Sequence, residues 1–205
     1  MDWLEKFKVN VPEGQDGVWS VKKFNVSKRD AEYEQMRASC SSNGGRGVPA
    51  GTYTGLYRGD TLIMSDTPDE ILDHLDIIRK AAGHCLIGGL GLGMVTKAML
   101  QKPEVTHVTV IELAPEVIRL IGTHLQAEFP DRLTIVEGDI LTWKPHKGVK
   151  YDTAWFDIWD GICTDNLKEI STLNRRFARC AKVKHSWQED RLRYELRRLQ
   201  NSWGW

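Results

Sequence analysis

Apolar residues follow different rhythms before and after residue 83 of this chain. In the second part, short apolar runs alternate with longer segments in which apolar residues recur every three or four positions. Short runs are typical of strands buried on both faces, and the longer periodicity is typical of amphipathic helices. The proposed strands are 84–88, 106–112, 132–137 and 151–157. This alternation predicts an α/β fold with a doubly wound, mainly parallel sheet.

The segments around these strands predict helices. The segment that begins at Pro115 has an apolar residue at every fourth position up to Phe129. Later helices are expected at 165–181 and 188–201. The residues after 181 do not accommodate a fifth strand, another helix and a closing antiparallel hairpin. We therefore expect a sheet truncated at its C-terminal strands, with four or five strands in all.

The first sixty residues have a weaker pattern that indicates a small β-rich extension. A strand is predicted at 18–27, a short helix at 28–40 and a loop at 41–51. A hairpin follows, with its turn at Arg58-Gly59-Asp60. The expected division is an extension at 1–60 and, from 61 to 205, a sheet domain that ends in a basic helix.

A well-marked helix precedes the first strand of the parallel sheet. Thr67 suits the N-cap, Pro68 suits the first turn, and Glu70 stands where it would complete a capping box. On the same helix, His74 is interpreted as a residue of the helix face that packs or is solvated.

The stretch "CLIGGLGLG" at 85–93 turns from an apolar run into alternating glycines. Gly89, Gly91 and Gly93 follow the proposed strand and open the next helix, and Gly88 adds further freedom. Glycine permits tight backbone turns and the close approach of a flat ligand that a Cβ would block. A glycine-rich tight turn without a ligand is the alternative interpretation.

Acidic residues end the next two strands. Glu112 lies 19 residues after Gly93, where a carboxylate can accept hydrogen bonds from both hydroxyls of a ribose. Asp139 follows the third strand, where it would bond the exocyclic amine of adenine while Ile140 packs on the ring. A simple turn aspartate is the alternative. The GxGxG spacing and this third acid favour an adenosyl ligand over a dinucleotide.

Four segments together resemble a known family. "LIGGLGLG", "VTVIEL", "VEGDI" and "YDTAWFDIWD" stand in the order and spacing of class I S-adenosylmethionine-dependent methyltransferases, which have a Rossmann-like fold. Within that superfamily the chain is most similar to the spermidine-synthase-like branch. The lead-in "DTPDE" also resembles small methyltransferase-like proteins of phages and prophages.

The resemblance implies roles for particular residues. The cofactor-binding residues would be Gly88, Gly89, Gly91, Gly93, Glu112, Leu113, Asp139, Ile140 and Asp157. Many methyltransferases have an acid two residues before the first glycine of the loop, and here that position is Ile87. The methionine end of the cofactor would therefore depend on other residues.

Asp157 and Asp160 are the candidate catalytic residues. They fit the D-x-x-D form in which spermidine synthases use one aspartate to deprotonate the attacking amine, although Gly161 replaces the usual proline. A helix-approach cap is the alternative role for Asp160. Two other polyamine contacts of that branch are replaced, by Met64 and Leu75.

Three functions remain open from the sequence. The first is an S-adenosylmethionine-dependent methyltransferase of unknown acceptor. The second is an aminopropyltransferase that uses decarboxylated S-adenosylmethionine. The third is a non-catalytic protein that binds an adenosyl ligand or serves as an interaction module. Methyl transfer itself needs alignment more than side-chain chemistry.

Composition adds a few bounds. Lys+Arg and Asp+Glu cancel at 28 each, so the overall charge favours no class of partner. The four cysteines lie far apart and lack metal-ligand spacing, so we expect no metal site and a reducing, cytoplasmic location. The chain begins without the apolar stretch of a signal peptide, and no window approaches a membrane span.

The C-terminal part differs in charge from the rest. Residues 166–205 contain ten Lys/Arg and four Asp/Glu, a balance of +6 against −6 for residues 1–165. A charged helix face with a packed apolar stripe is the favoured interpretation, ahead of nucleic-acid binding. A homodimer that covers the sheet edge is a further expectation.

Overall fold

The computed structural model describes residues 6–40 and 46–202. Positions 41–45, which belong to the predicted loop, lie outside the described residues. No helix within the described ranges is both long enough and apolar enough to cross a membrane.

The N-terminal part forms a four-stranded antiparallel sheet with the order β1-β2-β3-β4. Its strands are β1 (Gly14–Asp16), β2 (Trp19–Val26), β3 (Gly51–Arg58) and β4 (Thr61–Ser65). Helix α1 (Lys28–Cys40) connects β2 to β3 and buries none of its side chains. The predicted strand and helix correspond to β2 and α1. The predicted hairpin is formed by β3 and β4, which are joined by the turn at Gly59 and Asp60.

The second sheet has five strands in the order β7-β6-β5-β8-β9, all parallel. Its strands are β5 (Gly83–Gly88), β6 (Val105–Glu112), β7 (Leu133–Glu137), β8 (Tyr151–Phe156) and β9 (Ala181–Ser186). The chain builds outward from β5 on one side and then returns to the other side, so the topological switch point lies between β5 and β8. The predicted doubly wound, Rossmann-like α/β class is confirmed.

Helices cover both faces of this sheet. Their bounds are α2 (Pro68–Lys80), α3 (Met94–Leu100), α4 (Pro115–Val117), α5 (Thr123–Glu128), α6 (Asn166–Arg176) and α7 (Glu189–Ser202), and a π-helical turn (Ile118–Gly122) joins α4 to α5. Buried side chains of α2, α3 and the α4–α5 segment pack on one face around Cys85 and Ile87. Leu173 of α6 and the adjoining Phe177 pack on the other face around Leu86 and Phe156.

The fifth strand is absent from our sequence prediction. The helix predicted at 165–181 ends at Arg176, and Ala181–Ser186 then pairs with β8. The strand was not recognised because it lies at the sheet edge and carries lysines in place of an apolar run. Lys182 is exposed and forms an ion pair with Asp152. Lysine on an edge strand also discourages pairing with another chain. No strand follows β9 up to residue 202, which agrees with the expected truncation.

Candidate functional site

The glycine-rich turn after β5 lies at the switch point. Gly89 has φ +91, and a Cβ there would lie 2.1 Å from the carbonyl oxygen of Asp157. Only glycine therefore lets the loop pass so close to the end of β8. Gly91 has φ +52, and the atom nearest to a Cβ placed there is the sulfur of Met64. That sulfur also accepts a hydrogen bond from the Leu92 N–H at 3.2 Å. Gly93, also at positive φ, is the N-cap of α3.

Glu112 ends β6 with its carboxylate turned toward this turn. Its Oε2 accepts a hydrogen bond from the Leu90 N–H at 2.7 Å, and its Oε1 accepts one from the Ala114 N–H at 2.8 Å. The side chain is buried, at 8% exposure. The carboxylate thus joins the glycine turn to the loop after β6, and each oxygen keeps a lone pair for a further donor.

The other predicted adenosyl contacts are spread around the ends of β5, β6 and β7. Gly88 is buried against Ile140, which is 3% exposed and belongs to the apolar core. Asp139 accepts a hydrogen bond from the Leu141 N–H at 2.8 Å, so it also has the turn role considered as its alternative. Leu113 is 69% exposed, directly after Glu112. Their roles toward a ligand stay predictions.

A cleft of about 210 Å³ opens between the N-terminal sheet, α2, the glycine turn and the ends of β8 and β9. We call it the switch-point cleft. Gly89 and Gly91 lie in its wall. Its titratable lining residues are Glu70, Asp73, His74, Asp157 and Asp160, and its tryptophans are Trp19, Trp155, Trp159 and Trp187. Six described residues from the predicted set do not line it: Gly88, Gly93, Glu112, Leu113, Asp139 and Ile140.

His74 connects α2 to the candidate catalytic Asp157. The residue is 2% exposed, with Nε2 2.9 Å from Oδ2 of Asp157 and Nδ1 2.6 Å from the main-chain oxygen of Glu70. A carbonyl oxygen only accepts, so Nδ1 carries a proton. The structure therefore corrects the interpretation of His74 as a residue that merely packs or is solvated.

The geometry places one proton between Nε2 of His74 and Oδ2 of Asp157. Because Nδ1 is occupied by a donated hydrogen bond, an ionised Asp157 requires a proton on Nε2 as well, which makes His74 an imidazolium. Burial lowers the pKa of His74, but the hydrogen bond and charge of Asp157, with help from Glu70, outweigh it, so that the pKa is raised. The raised pKa of His74 favours the form in which that proton lies on the ring, an imidazolium–carboxylate pair.

Glu70 departs from its predicted capping role. Its Oε2 accepts a hydrogen bond from the Ser65 N–H at 2.8 Å, and its Oε1 accepts one from the Ser65 hydroxyl at 3.1 Å. Thr67 is the N-cap residue as predicted, but its side chain makes no capping hydrogen bond. Burial raises the pKa of Glu70 to about 7, against the opposing effect of the Ser65 hydrogen bonds.

Asp160 and Trp159 lie at the outer end of the cleft. Asp160 forms an ion pair with Arg58 of β3, and both side chains are about half exposed. The Trp159 indole donates to Glu169 of α6 at 2.6 Å. These contacts tie the loop after β8 to both the N-terminal sheet and α6. Asp160 is thus held by Arg58, while Asp157 is the more deeply placed of the two aspartates.

Sequence reasoning missed three features of this site. Glu70 was predicted to cap the helix, because it stands three residues after a good N-cap. Nothing in the local sequence indicates that it lines a cleft. Trp187 follows β9, a strand that the sequence does not reveal. A pairing of His74 with Asp157 joins positions 83 residues apart, which no local pattern can indicate.

The raised pKa of Glu70 predicts a pH dependence of stability. Its ordinary value is 4.5, so between about pH 4.5 and 7 the folded state binds more protons than the unfolded state, and stability falls as pH rises. Glu70→Gln removes that loss. Relative to the wild type, the variant should gain about 3 kcal/mol of unfolding free energy between pH 4 and pH 8, measured by denaturant titration. Exposed Glu137→Gln is the control, and a parallel pH dependence in Glu70→Gln and wild type would contradict the assignment.

Comparison with known proteins gives matches only among solved structures. No protein-family model matches the chain, and no curated protein matches it. The N-methyltransferase NodS from Bradyrhizobium japonicum WM9, in complex with S-adenosyl-L-homocysteine, is 16% identical with a TM-score of 0.44, and the match covers 56% of this chain and 57% of that one. A dimethyladenosine transferase from Plasmodium falciparum is 22% identical with a TM-score of 0.40, over 53% and 36% of the two chains.

A third similar structure is an S-adenosylmethionine-dependent methyltransferase from Clostridium acetobutylicum ATCC 824. It is 14% identical with a TM-score of 0.37, and the match covers 52% of this chain and 42% of that one. The matched part of this chain thus spans 36% to 57% of the length of these three structures.

Proposed function

We propose that the protein binds S-adenosylmethionine at the carboxyl ends of β5 and β6 and transfers its methyl group to an acceptor in the switch-point cleft. The observation that supports this most is the glycine turn, which passes the end of β8 so closely that Gly89 leaves no room for a Cβ. The turn is also fixed from β6 by the Glu112 carboxylate. Ligands of doubly wound sheets bind at such switch points.

The residues present fit an adenosyl ligand. Glu112 has spare lone pairs for ribose hydroxyls beside the turn, and Asp139 follows β7 on the same edge of the sheet. Gly89 and Gly91 would lie beside the reacting end, because both line the cleft. The bound cofactor would supply an activated methyl on a sulfonium, so the chain itself mainly has to align the acceptor.

The cleft favours an acceptor that carries an amine. Four carboxylates line it, Glu70, Asp73, Asp157 and Asp160, together with four tryptophans. Carboxylates and indole faces both attract cations, and the attraction strengthens where water is excluded. The amine must lose its proton before it attacks, and Asp157 would accept that proton and orient the free amine toward the methyl group.

The spermidine-synthase-like branch is a finer proposal. It is supported by Asp157 and Asp160, which both line the cleft, and by the antiparallel N-terminal sheet that closes one side of it. Met64 lies over the glycine turn where that branch has a glutamine. We therefore place methyl transfer first and treat aminopropyl transfer from the decarboxylated cofactor as an outcome to be tested.

Transfer of radiolabelled methyl groups tests the proposed function. We expect label from S-adenosylmethionine to enter one or more members of a panel of primary and secondary amines, and neutral isosteres of the same size to remain unlabelled. Asp157→Asn should reduce labelling at least ~10-fold while the cofactor still binds. Labelling of the neutral compounds alone would contradict an amine acceptor, and aminopropyl transfer from the decarboxylated cofactor would replace methyl transfer.

Three statements about organisation are also proposals. The division into an extension at 1–60 and a domain at 61–205 is one of them. A homodimer that covers the sheet edge is another, and the exposed apolar residues Leu196 and Leu199 of α7 support it. Binding of nucleic acid by the basic C-terminal segment is the third and the least favoured, because two arginines of α7, Arg191 and Arg193, already pair with acids of the same helix.

A further inference from the structure

The acids of the switch-point cleft differ in how their charge is balanced. Asp157 is paired with the buried ring of His74. Asp160 is paired with Arg58, and Asp73 is paired with Arg46. Among the lining acids in the described part of the chain, Glu70 alone has a carboxylate without a cationic hydrogen-bond partner: both hydrogen bonds that this carboxylate accepts come from neutral groups of Ser65.

Glu70 is also placed to influence whatever occupies the cleft. It is on the first turn of α2, it lines the cleft, and its own main-chain oxygen holds the ring of His74. Glu70 is partly buried, and a carboxylate withdrawn from water without a cationic partner is unfavourable unless a positive charge comes near it. The two states of the proposed cofactor differ in this respect, because the methyl donor carries a sulfonium and the demethylated product carries a neutral thioether.

We propose that Glu70 is the residue by which the cleft distinguishes the methyl donor, which carries a sulfonium, from the product, whose thioether is uncharged. This inference rests on the proposed function. Ionised Glu70 attracts the sulfonium and gains nothing from the thioether. After the methyl group has left, the carboxylate loses its counter-charge, which favours release of the product.

The protonation of Glu70 is coupled to the difference in affinity between the methyl donor and the product. Burial places its pKa near 7, so a cation beside it favours the ionised form. The other charged groups around it are His74 and Asp73 on α2, with Asp157 after β8, while Ser65 at the end of β4 is neutral. His74 and Asp157 balance each other's charge, and Arg46 balances the charge of Asp73. Glu70 is therefore the lining acid whose protonation should change when a cation enters the cleft.

The test is the ratio of two affinities as a function of pH. Calorimetry gives the Kd of S-adenosylhomocysteine divided by the Kd of S-adenosylmethionine, at pH 6.0 to 8.5 in buffers of equal ionic strength. In the wild type the ratio should rise roughly three- to tenfold across this range as Glu70 ionises. Glu70→Gln should remove the rise that the residue causes. Titration of the ligands' own groups is common to both proteins and cancels in the comparison.

Asp76→Asn is the matched control, because Asp76 is an acid of the same helix whose side chain is 73% exposed and paired with Lys80. It should retain the wild-type rise. If both ligands bind and the ratio follows pH identically in the wild type and in Glu70→Gln, the inference is wrong while the proposed function stands. If neither ligand binds the folded wild-type protein, the proposed function fails and the inference fails with it.

Discussion

Replacing Gly91 by leucine is expected to weaken binding of S-adenosylmethionine at least ~100-fold while the chain stays folded. A Cβ at this position would lie 2.7 Å from the sulfur of Met64, and the rest of the side chain would enter the cleft that Gly91 lines. The atom it meets is the flexible end of a methionine, which can move away at modest cost. The crowding is therefore directed at the ligand space more than at the core.

Gly59→Leu separates crowding from backbone strain. Gly59 has φ +59, close to the +52 of Gly91, but nothing lies within 4 Å of a Cβ placed there. Both variants should lose about 1–2 kcal/mol of stability from the left-handed backbone. Only Gly91→Leu should lose the ligand, as measured by calorimetry with melting curves as the check on folding. A folded Gly91→Leu protein with wild-type affinity would remove the glycine turn from the binding site.

Replacing Glu112 by alanine is expected to weaken binding of S-adenosylmethionine by about 1–3 kcal/mol, or roughly 5- to 150-fold. Two effects combine in this loss. The ribose hydroxyls would lose their proposed acceptor, and the N–H groups of Leu90 and Ala114 would lose the carboxylate that now holds them. The second effect should also reduce the stability of the free protein, because buried donors left without partners are costly.

Glu137→Ala is the control for this variant. Glu137 stands opposite Glu112 on the neighbouring strand β7 and is exposed. It should retain both affinity and stability. The ribose contact is tested by comparing adenosine with 3′-deoxyadenosine: the wild type should prefer adenosine, and Glu112→Ala should bind the two alike. An unchanged preference in the folded variant would show that another residue holds the ribose.

The fold is readable from the sequence where local pattern and buried environment agree. Four strands of the parallel sheet were predicted within a residue or two. Three of them, β5, β6 and β8, are apolar runs inside the sheet, and β7 at one edge still carries Leu133, Ile135 and Val136. The fifth, β9, lies at the edge and carries exposed lysines, so its sequence does not look like a buried strand. Apolar patterning finds an edge strand only when the strand keeps an apolar run, as β7 does and β9 does not.

The site is readable only in part. The glycines after β5 and the acid that ends β6 follow from how a strand meets a ligand, and the structure brings them together through Leu90. The contacts of His74 and Glu70 depend on how α2 lies against β4 and β8. Those are tertiary distances between segments far apart in sequence, and the local signals at both residues pointed to ordinary helix roles.

Calorimetric titration of the purified protein with S-adenosylmethionine is the most direct measurement. Binding at one site per chain is the predicted result, lost in Gly91→Leu and retained in Gly59→Leu. A preference for the decarboxylated cofactor would favour aminopropyl transfer over methyl transfer. Absence of binding to a folded wild-type protein, in both forms of the cofactor, would contradict an adenosyl site at the ends of β5 and β6.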